Sequence, residues 1–204
     1  MSPRAVRGLT FDDYLALTAL KARYFRAVDT QDWEALRQVY TPDARFSGFG
    51  FGIREGVDTL IAGLSEHLAG VRSQHLGANP EFAVRAPVAL RGVWVARGVW
   101  AMRDELHFAP GHPSLAAPSA PDMRGIRGTG FYEDEYALTR RGWRISSSRL
   151  VRTRVEALGD GAPRELPLGA RARGLDPAWL APAPAPAAPG PAPAGPGQDA
   201  PSRP

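Results

Sequence analysis

The spacing of apolar residues changes once along this chain. Before residue 70, apolar positions recur every three or four residues in three separate stretches, which is the period of an α-helix. After residue 70, apolar and polar residues alternate over long runs, which is the period of a β-strand. This pattern therefore predicts that the helices come first along the chain and most of the strands follow them.

The first predicted helix begins after Thr10, where Thr10-Phe11-Asp12-Asp13 forms a variant capping box, and runs to about Val28. A second, short helix is capped by Asp32 and carries Trp33, Leu36, Val39 and Tyr40 before Thr41-Pro42-Asp43 ends it. A strand begins at Ala44–Ser47. The third helix runs from Val57 to about Ala69, with an apolar stripe of leucine and isoleucine.

Five segments of the second half are predicted strands: Val71–His75, Glu81–Arg85, a long run from Val88 to Phe108, Gly130–Thr139 and Trp143–Val155. Arg140-Arg141-Gly142 is a predicted hairpin turn between the last two. Helices followed by long antiparallel strands are typical of the α+β class. About three helices packed in the concavity of one curved sheet would bury the apolar faces of both.

Composition divides the chain near Gly159. From there to Pro204 the sequence consists mainly of proline, alanine and glycine, which cannot bury enough apolar surface to offset the entropy of ordering. We expect a flexible N-terminus (residues 1–8), one folded domain (9–158) and a disordered tail (159–204) with polyproline character. Within the tail, Asp176–Leu180 is apolar enough to dock on the domain or on a partner.

The 204 residues include no cysteine, which excludes disulfides, thiolate metal sites and cysteine nucleophiles and fits a reducing compartment. The net charge is +4, and the arginines are scattered along the sequence without a basic stripe, so nucleic acid is not an expected partner. The N-terminus has no apolar leader, and no apolar run is long enough to span a membrane. A cytoplasmic protein is the expectation.

Asp29 and His75 are the strongest candidates for chemistry. Asp29 falls at the end of the first helix, where the helix dipole is already negative, and His75 lies on a predicted strand. An aspartate beside a histidine is a usable acid/base pair, so the function depends on whether the two meet in space. Alternatively, Asp29 is a solvated loop acid and His75 is buried against a backbone carbonyl.

Other polar residues have simpler interpretations. His107 and His112, with Asp104 or Asp122 nearby, fit no standard metal motif, so a metal is not expected. Strand alternation places Glu133 and Glu135 on one face and Tyr132, Asp134 and Tyr136 on the other. On an outer face the glutamates would pair with Arg149 or Arg152 on the neighbouring strand.

Several segments together resemble SnoaL-like domains of the nuclear-transport-factor-2-like superfamily. Arg23–Trp33 and Tyr40–Ala44 resemble the opening of that domain, and three later segments support the likeness: Ala96–Asp104, Gly128–Tyr136 and Gly142–Leu150. The resemblance covers about Leu9 to Leu158. It implies a cone-shaped, strongly bent mixed sheet around a deep apolar pocket, an α+β barrel in the broad sense.

The resemblance also implies a chemistry. Enzymes of this superfamily include scytalone dehydratase, bile-acid 7α-dehydratase, polyketide cyclases and ketosteroid isomerase, which move protons next to a carbonyl without a metal or organic cofactor. In the bile-acid dehydratase type, a helix-end tyrosine, an aspartate five residues later and a strand histidine form the catalytic group. Tyr24, Asp29 and His75 match that pattern, although Tyr24 is equally compatible with core packing.

Aromatic residues would form the walls of such a pocket and bind a flat hydrophobic molecule, although plain core packing is the alternative. The candidates are Phe49, Phe51, Trp94, Trp100, Phe131 and Tyr132. Two features depart from the dehydratase type. The central-strand stretch that should carry a further carboxylate has Trp94-Val95-Ala96, and Leu76-Gly77-Ala78 replaces a second histidine.

The sequence therefore predicts a cofactor-independent dehydratase or isomerase that acts on a polycyclic, steroid-like or polyketide-like carbonyl compound. The alternatives are a non-catalytic binding or dimerisation module of the same fold, or a small subunit of a larger assembly. A homodimer through the outer face of the sheet is the oligomer that the resemblance implies.

Overall fold

The computed structural model describes residues 8–49, 52–85, 95–116, 122–168 and 174–181. The elements in chain order are α1 (Phe11–Asp29), α2 (Trp33–Arg37), β1 (Tyr40–Ser47), β2 (Arg54–Glu55), α3 (Val57–His67), β3 (Val71–Arg85), β4 (Val95–Phe108), a 3-10 turn (Pro113–Ala116), β5 (Gly125–Thr139), β6 (Gly142–Leu158) and β7 (Arg164–Glu165).

The capping box predicted at the start of α1 is present. The Thr10 hydroxyl accepts a hydrogen bond from the Asp13 backbone N–H at 3.2 Å, and an Asp13 carboxylate oxygen accepts one from the Thr10 backbone N–H at 3.0 Å. The other Asp13 oxygen accepts a hydrogen bond from the indole of Trp143 at 3.0 Å. One aspartate therefore fixes the start of the helix and also joins the helix to β6.

The strands form one mixed sheet in the order β2-β1-β6-β5-β4-β3, and β7 pairs with β6 beside this path. β1 runs parallel to β6, and the other pairs are antiparallel. Within the described residues the sheet is not closed, because β2 and β3 form its two edges. The predicted α+β cone is confirmed.

Beyond the short strands β2 and β7, which were not predicted, and the earlier start of β5 at Gly125, two differences concern how the elements are divided. Val71–His75 and Glu81–Arg85 are parts of the single strand β3, because the interruption between them is a β-bulge: Asn79 has φ 49° and the pairing with β4 shifts between Ala78 and Glu81. The second difference concerns Tyr40, which begins β1, since α2 already ends at Arg37.

The core lies between the helices and the inner face of the sheet. On α1, Leu17, Leu20 and Val28 are fully or almost fully buried, and they pack with inward residues of β4, β5 and β6. The alternation predicted for β5 is confirmed: Tyr132, Asp134 and Tyr136 belong to this interior, while Glu133 pairs with Arg149 on the other face. None of the described helices is long and apolar enough to cross a membrane.

Part of the C-terminal segment contacts the outer face of the sheet. The Trp179 indole donates a hydrogen bond to the Gly98 carbonyl at 3.1 Å, and the Arg97 guanidinium lies 4.3 Å from the centre of the Trp179 ring. The Asp176 backbone N–H donates to Glu133 at 2.7 Å. The Asp176–Leu180 stretch therefore docks on the domain, and the boundary at residue 159 stays a prediction.

Candidate active site

The end of α1 and the first half of β3 bring Asp29 and His75 into contact. The His75 Nδ1 atom lies 2.6 Å from one Asp29 carboxylate oxygen, and the His75 backbone N–H donates to the other at 2.8 Å. The Ser73 hydroxyl also donates to Asp29, at 2.9 Å. Ser73 and His75 share one face of β3 because side chains alternate along a strand. Three hydrogen bonds therefore orient one carboxylate toward one imidazole.

The contact with Asp29 selects the histidine tautomer. An ionised carboxylate only accepts hydrogen bonds, so Nδ1 of a neutral His75 carries the proton and donates it to Asp29. The second ring nitrogen, Nε2, then has a free lone pair. The His75 side chain is only 10% exposed, so this base lies within the fold and not in bulk solvent.

A buried carboxylate lies on the other side of the imidazole. Asp104 is directly opposite His75 in the pairing of β3 with β4, and one of its oxygens lies 3.9 Å from Nε2. The Asp104 side chain is 1% exposed and accepts two hydrogen bonds from the Arg152 guanidinium, at 2.8 and 2.5 Å. Burial alone would lower the pKa of Arg152, but the hydrogen bonds and charge of Asp104 raise it above its usual value.

The expectation that no further carboxylate occupies the pocket is therefore wrong. Trp94-Val95-Ala96 has no carboxylate, whereas the β3–β4 register places Asp104 beside His75. The signal that could have found it is the strand pairing, because residues opposite each other in antiparallel strands are neighbours. The bulge in β3 hides that register from a reading of the sequence alone.

Gly128 makes the Asp104–Arg152 pair possible. It lies on β5, between the strands that carry Asp104 and Arg152, and it is paired with Asp104 in the register. A Cβ atom at this position would overlap both the Arg152 guanidinium and the Asp104 carboxylate. The arginine therefore crosses β5 over the one residue type that has no side chain.

Tyr24 lies in the aromatic interior beside this group. Its hydroxyl is 3.4 Å from the Tyr132 hydroxyl, and the residue is almost completely buried. Burial raises the pKa of Tyr24 above its usual value; the hydrogen bond with Tyr132 offsets part of that effect, and the charges of Asp134, Asp104 and Asp29 add to it. The Tyr24 hydroxyl therefore stays protonated near neutral pH and can donate a hydrogen bond.

The predicted wall residues fall into three groups. Trp100, Tyr132 and Phe49 belong to the interior core or pack against it. Phe131 lies on the face of β5 opposite Tyr132, so it does not share an interior pocket with Tyr132, and that prediction is wrong. Phe51 and Trp94 lie outside the described residues.

Phe25 is an interior aromatic that the sequence reasoning missed. Gly77 lies two residues after His75 on β3, and a Cβ atom there would be 2.5 Å from the Phe25 ring. The ring therefore packs directly on the glycine, within the Leu76-Gly77-Ala78 stretch. The signal was a glycine inside a strand, which often marks close approach of another group.

A second buried polar network supports the aromatic interior. The Lys21 ammonium donates to Asp134 at 2.7 Å, and the hydroxyls of Ser148 and Tyr136 donate to the same carboxylate at 2.6 and 2.9 Å. The Lys21 nitrogen also lies 3.7 Å from the centre of the Tyr132 ring. Burial lowers the pKa of Lys21, and Asp134 offsets part of that effect. This network connects α1 to β5 and β6.

The other histidines have structural partners. His107 contacts Glu105 at 2.9 Å, and the His112 ring stacks on Phe108 with ring centres 4.7 Å apart. Across the described ranges, no group of three or more histidine, aspartate or glutamate side chains is arranged to hold a metal. The absence of a metal or organic cofactor remains a prediction.

Comparison with known proteins gives a family match and several structural likenesses. Residues 10–149 match the family model described as a SnoaL-like domain. A search of curated proteins gives no match. A protein of unknown function from Mycobacterium tuberculosis, Rv3472, solved as a variant, is 26% identical, with 71% of this chain and 79% of that one covered and a TM-score of 0.53.

Two further solved structures have similar folds. A hexachlorocyclohexane dehydrochlorinase, LinA type 2, is 16% identical, with 78% of this chain and 99% of that chain covered and a TM-score of 0.58. A proposed scytalone dehydratase from Novosphingobium aromaticivorans is also 16% identical, with 78% and 98% covered and a TM-score of 0.57. At this identity the two structures are similar to this chain in fold alone.

Proposed function

This chain belongs to the SnoaL-like domain family, and from the geometry of its site we propose that it is a cofactor-independent lyase or isomerase. The observation that supports this proposal is the 2.6 Å contact between Asp29 and His75, which leaves Nε2 of the imidazole as a base inside the fold. The reaction would remove a proton from a carbon atom next to a carbonyl group.

His75 is the proposed base. Nε2 takes the proton from carbon, and the electron pair of the broken C–H bond moves to the carbonyl oxygen to form an enolate. The resulting imidazolium lies between Asp29 at 2.6 Å and Asp104 at 3.9 Å, so negative charge flanks both ring nitrogens. The Arg152 guanidinium, which is hydrogen-bonded to Asp104, balances the charge of that carboxylate before the reaction begins.

Tyr24 is the proposed donor to the enolate oxygen. Its hydroxyl keeps its proton because burial raises its pKa, and a hydrogen bond in an apolar interior is stronger than in water. In a dehydration, the enolate then expels a β-hydroxide, which leaves as water with the proton that His75 holds. In an isomerisation, His75 returns the proton to a different carbon. Both routes restore the starting protonation of the enzyme.

The substrate class follows from the aromatic interior. Trp100, Tyr132 and Phe25 are buried in the interior and form aromatic surroundings that suit a flat apolar molecule. A polycyclic, steroid-like or polyketide-like carbonyl compound has the required shape. The likeness in fold to a dehydrochlorinase and a proposed scytalone dehydratase agrees with elimination chemistry on compact rings.

The test is turnover of a panel of β-hydroxy ketones, followed by enone absorbance, with proton exchange in D₂O measured in parallel. His75→Gln and Asp29→Asn should each reduce the rate by about 10²- to 10⁴-fold, the usual contribution of a positioned general base. His107→Gln is the matched control, because His107 is a partly exposed histidine on the next strand with its own carboxylate partner.

Three results would count against the proposal. Neither turnover nor exchange with any substrate, together with tight binding of the same compounds, would favour a non-catalytic binding module of the same fold. Equal rates in His75→Gln and His107→Gln would mean that the Asp29–His75 pair has no part in catalysis. A partner protein that co-purifies in fixed ratio would instead favour a subunit of a larger assembly.

A further inference from the structure

A surface cleft of about 590 Å³ lies away from the Asp29–His75 pair, between the end of α2, the start of β1, the start of α3 and the β5–β6 turn. Its wall contains four arginines: Arg37 from the end of α2, and Arg140, Arg141 and Arg144 from the β5–β6 turn and the start of β6. The fold therefore brings Arg37 beside a basic segment whose other three arginines are already close together in the sequence.

Three of these arginines are not neutralised. Arg37 forms an ion pair with Asp58, the carboxylate in the cleft wall, and that pair cancels both charges. Arg140, Arg141 and Arg144 have no carboxylate partner among the described residues. Burial lowers the pKa of Arg144, and the charges of Arg23 and Arg141 lower it further. Like charges that approach without a counter-ion are unfavourable, and an anion would remove that cost.

A buried hydroxyl provides an independent observation. Thr41 lines the cleft and is 8% exposed, and its hydroxyl oxygen has no hydrogen-bond partner among the described residues. Buried polar groups in folded proteins are nearly always hydrogen-bonded, so an unpaired one requires an explanation. A ligand oxygen that reaches this hydroxyl from the cleft would accept the missing hydrogen bond.

The start of α3 has the same preference for negative charge. Val57, the first residue of this 11-residue helix, lines the cleft. The N-cap residue is Gly56, which has φ 87° and no side chain to cap the helix. The first backbone N–H groups and the positive end of the helix dipole therefore lie at one end of the cleft, where they favour an anion.

We propose that this cleft binds a small organic phosphate, with the phosphate held by Arg140, Arg141, Arg144 and Thr41 and the organic part lying on Pro42, Val57 and Tyr40. A phosphate ester carries close to two negative charges near neutral pH, and guanidinium groups match its oxygens with paired hydrogen bonds. The cleft volume falls in the range of small-molecule sites, which is larger than a free phosphate ion needs.

The test uses the full chain and phenyl phosphate, with inorganic phosphate and phenol as the two partial probes. Titration calorimetry gives affinities, and ¹⁵N–¹H spectra locate the amides that shift. We expect phenyl phosphate to bind at least about threefold more tightly than inorganic phosphate, and phenol not to bind. The shifted amides should belong to Thr41, Val57 and the Arg140–Arg144 segment. His75→Gln should bind as the wild type does.

Matched variants distinguish a built site from general attraction to a basic protein. Arg144→Gln should weaken phenyl phosphate about tenfold or more, whereas Arg154→Gln removes one charge at the far end of the same strand and should not. Thr41→Val should weaken binding and raise the melting temperature of the free protein, because it removes an unpaired buried hydroxyl. A purely structural role for Thr41 would not produce these opposite effects.

Clear results would overturn the proposal. Equal affinities in the wild type, Arg144→Gln and Arg154→Gln would mean that phosphate binds through net charge alone. Inorganic phosphate that binds as tightly as phenyl phosphate would remove the assignment to an organic phosphate. Shifts confined to amides outside the cleft would place the site elsewhere. None of these measurements depends on catalytic activity, so the acid/base proposal can fail independently.

Discussion

Loss of the Lys21–Asp134 pair should be among the most destabilising single changes in this protein. Lys21 is the chain's only lysine, and both side chains of the pair are 0% exposed. In Lys21→Met the ammonium disappears, and Asp134 keeps a buried negative charge whose remaining hydrogen bonds, among the residues that the structure describes, come from the Ser148 and Tyr136 hydroxyls. Removing one partner of a buried ion pair costs about 3–5 kcal/mol, so the free energy of unfolding should fall by that amount.

Urea denaturation followed by tryptophan fluorescence measures this change. The control is Arg45→Met, which breaks the Arg45–Glu55 contact at 3.9 Å, where both side chains are about 70% exposed. Exposed pairs contribute less than about 1 kcal/mol, so the two variants should differ by at least about 2 kcal/mol. The double variant Lys21→Met/Asp134→Leu removes both charges and should recover part of the loss.

The opposite results would refute the reasoning. If Lys21→Met costs no more than Arg45→Met, the ammonium is not held against Asp134 in a water-free interior. If Asp134→Leu lowers the free energy of unfolding as much in the Lys21→Met background as it does in the wild type, the two residues are not coupled.

Three further predictions concern the buried tyrosines, Gly128 and the C-terminal segment. Burial raises the pKa of four tyrosines in the folded protein: Tyr24, Tyr40, Tyr132 and Tyr136. Their contribution to stability is therefore fully present below the tyrosine pKa of the unfolded chain, which is about 10. Above that pH the free energy of unfolding falls by up to about 1.4 kcal/mol per pH unit for each tyrosine. Tyrosinate absorbance at 295 nm should rise in one cooperative step with unfolding; four gradual ionisations without unfolding would contradict this. The pKa of Lys21 is lowered in the folded protein, so the contribution of this one residue to stability increases with pH. Gly128→Ala should separate Arg152 from Asp104, lower the melting temperature and reduce kcat more than KM. The control is Gly161→Ala, because Gly161 lies on an exposed bend with open space around it. Equal melting temperatures of the two variants would mean that the Arg152 side chain does not pass over Gly128. Truncation after Leu168 should keep the fold but lower the melting temperature by several degrees, because it removes the Trp179 and Asp176 contacts with the sheet; an unchanged value would mean that this segment does not dock in solution.

Local features of the sequence predicted the three helices and most of the long strands, and the family resemblance predicted the site residues. The capping box at Thr10 and Asp13 acts over three residues, and the strand alternation of Tyr132, Glu133 and Asp134 is set by backbone geometry, so neither requires knowledge of the rest of the chain. The pattern of Tyr24, Asp29 and His75 was visible because the family resemblance assigns all three together. The predicted α+β class and the acid/base hypothesis depend on these features.

The tertiary structure alone decided which distant residues are partners. Lys21 and Asp134 are 113 positions apart, Asp104 and Arg152 are 48 apart, and the arginines of the surface cleft come from α2, the β5–β6 turn and β6. The bulge at Asn79 changes the pairing partner of every later residue of β3, and it leaves no periodic signal. Helix and strand formation depends on near neighbours, whereas electrostatic pairing depends on register and burial, which only the packed chain determines.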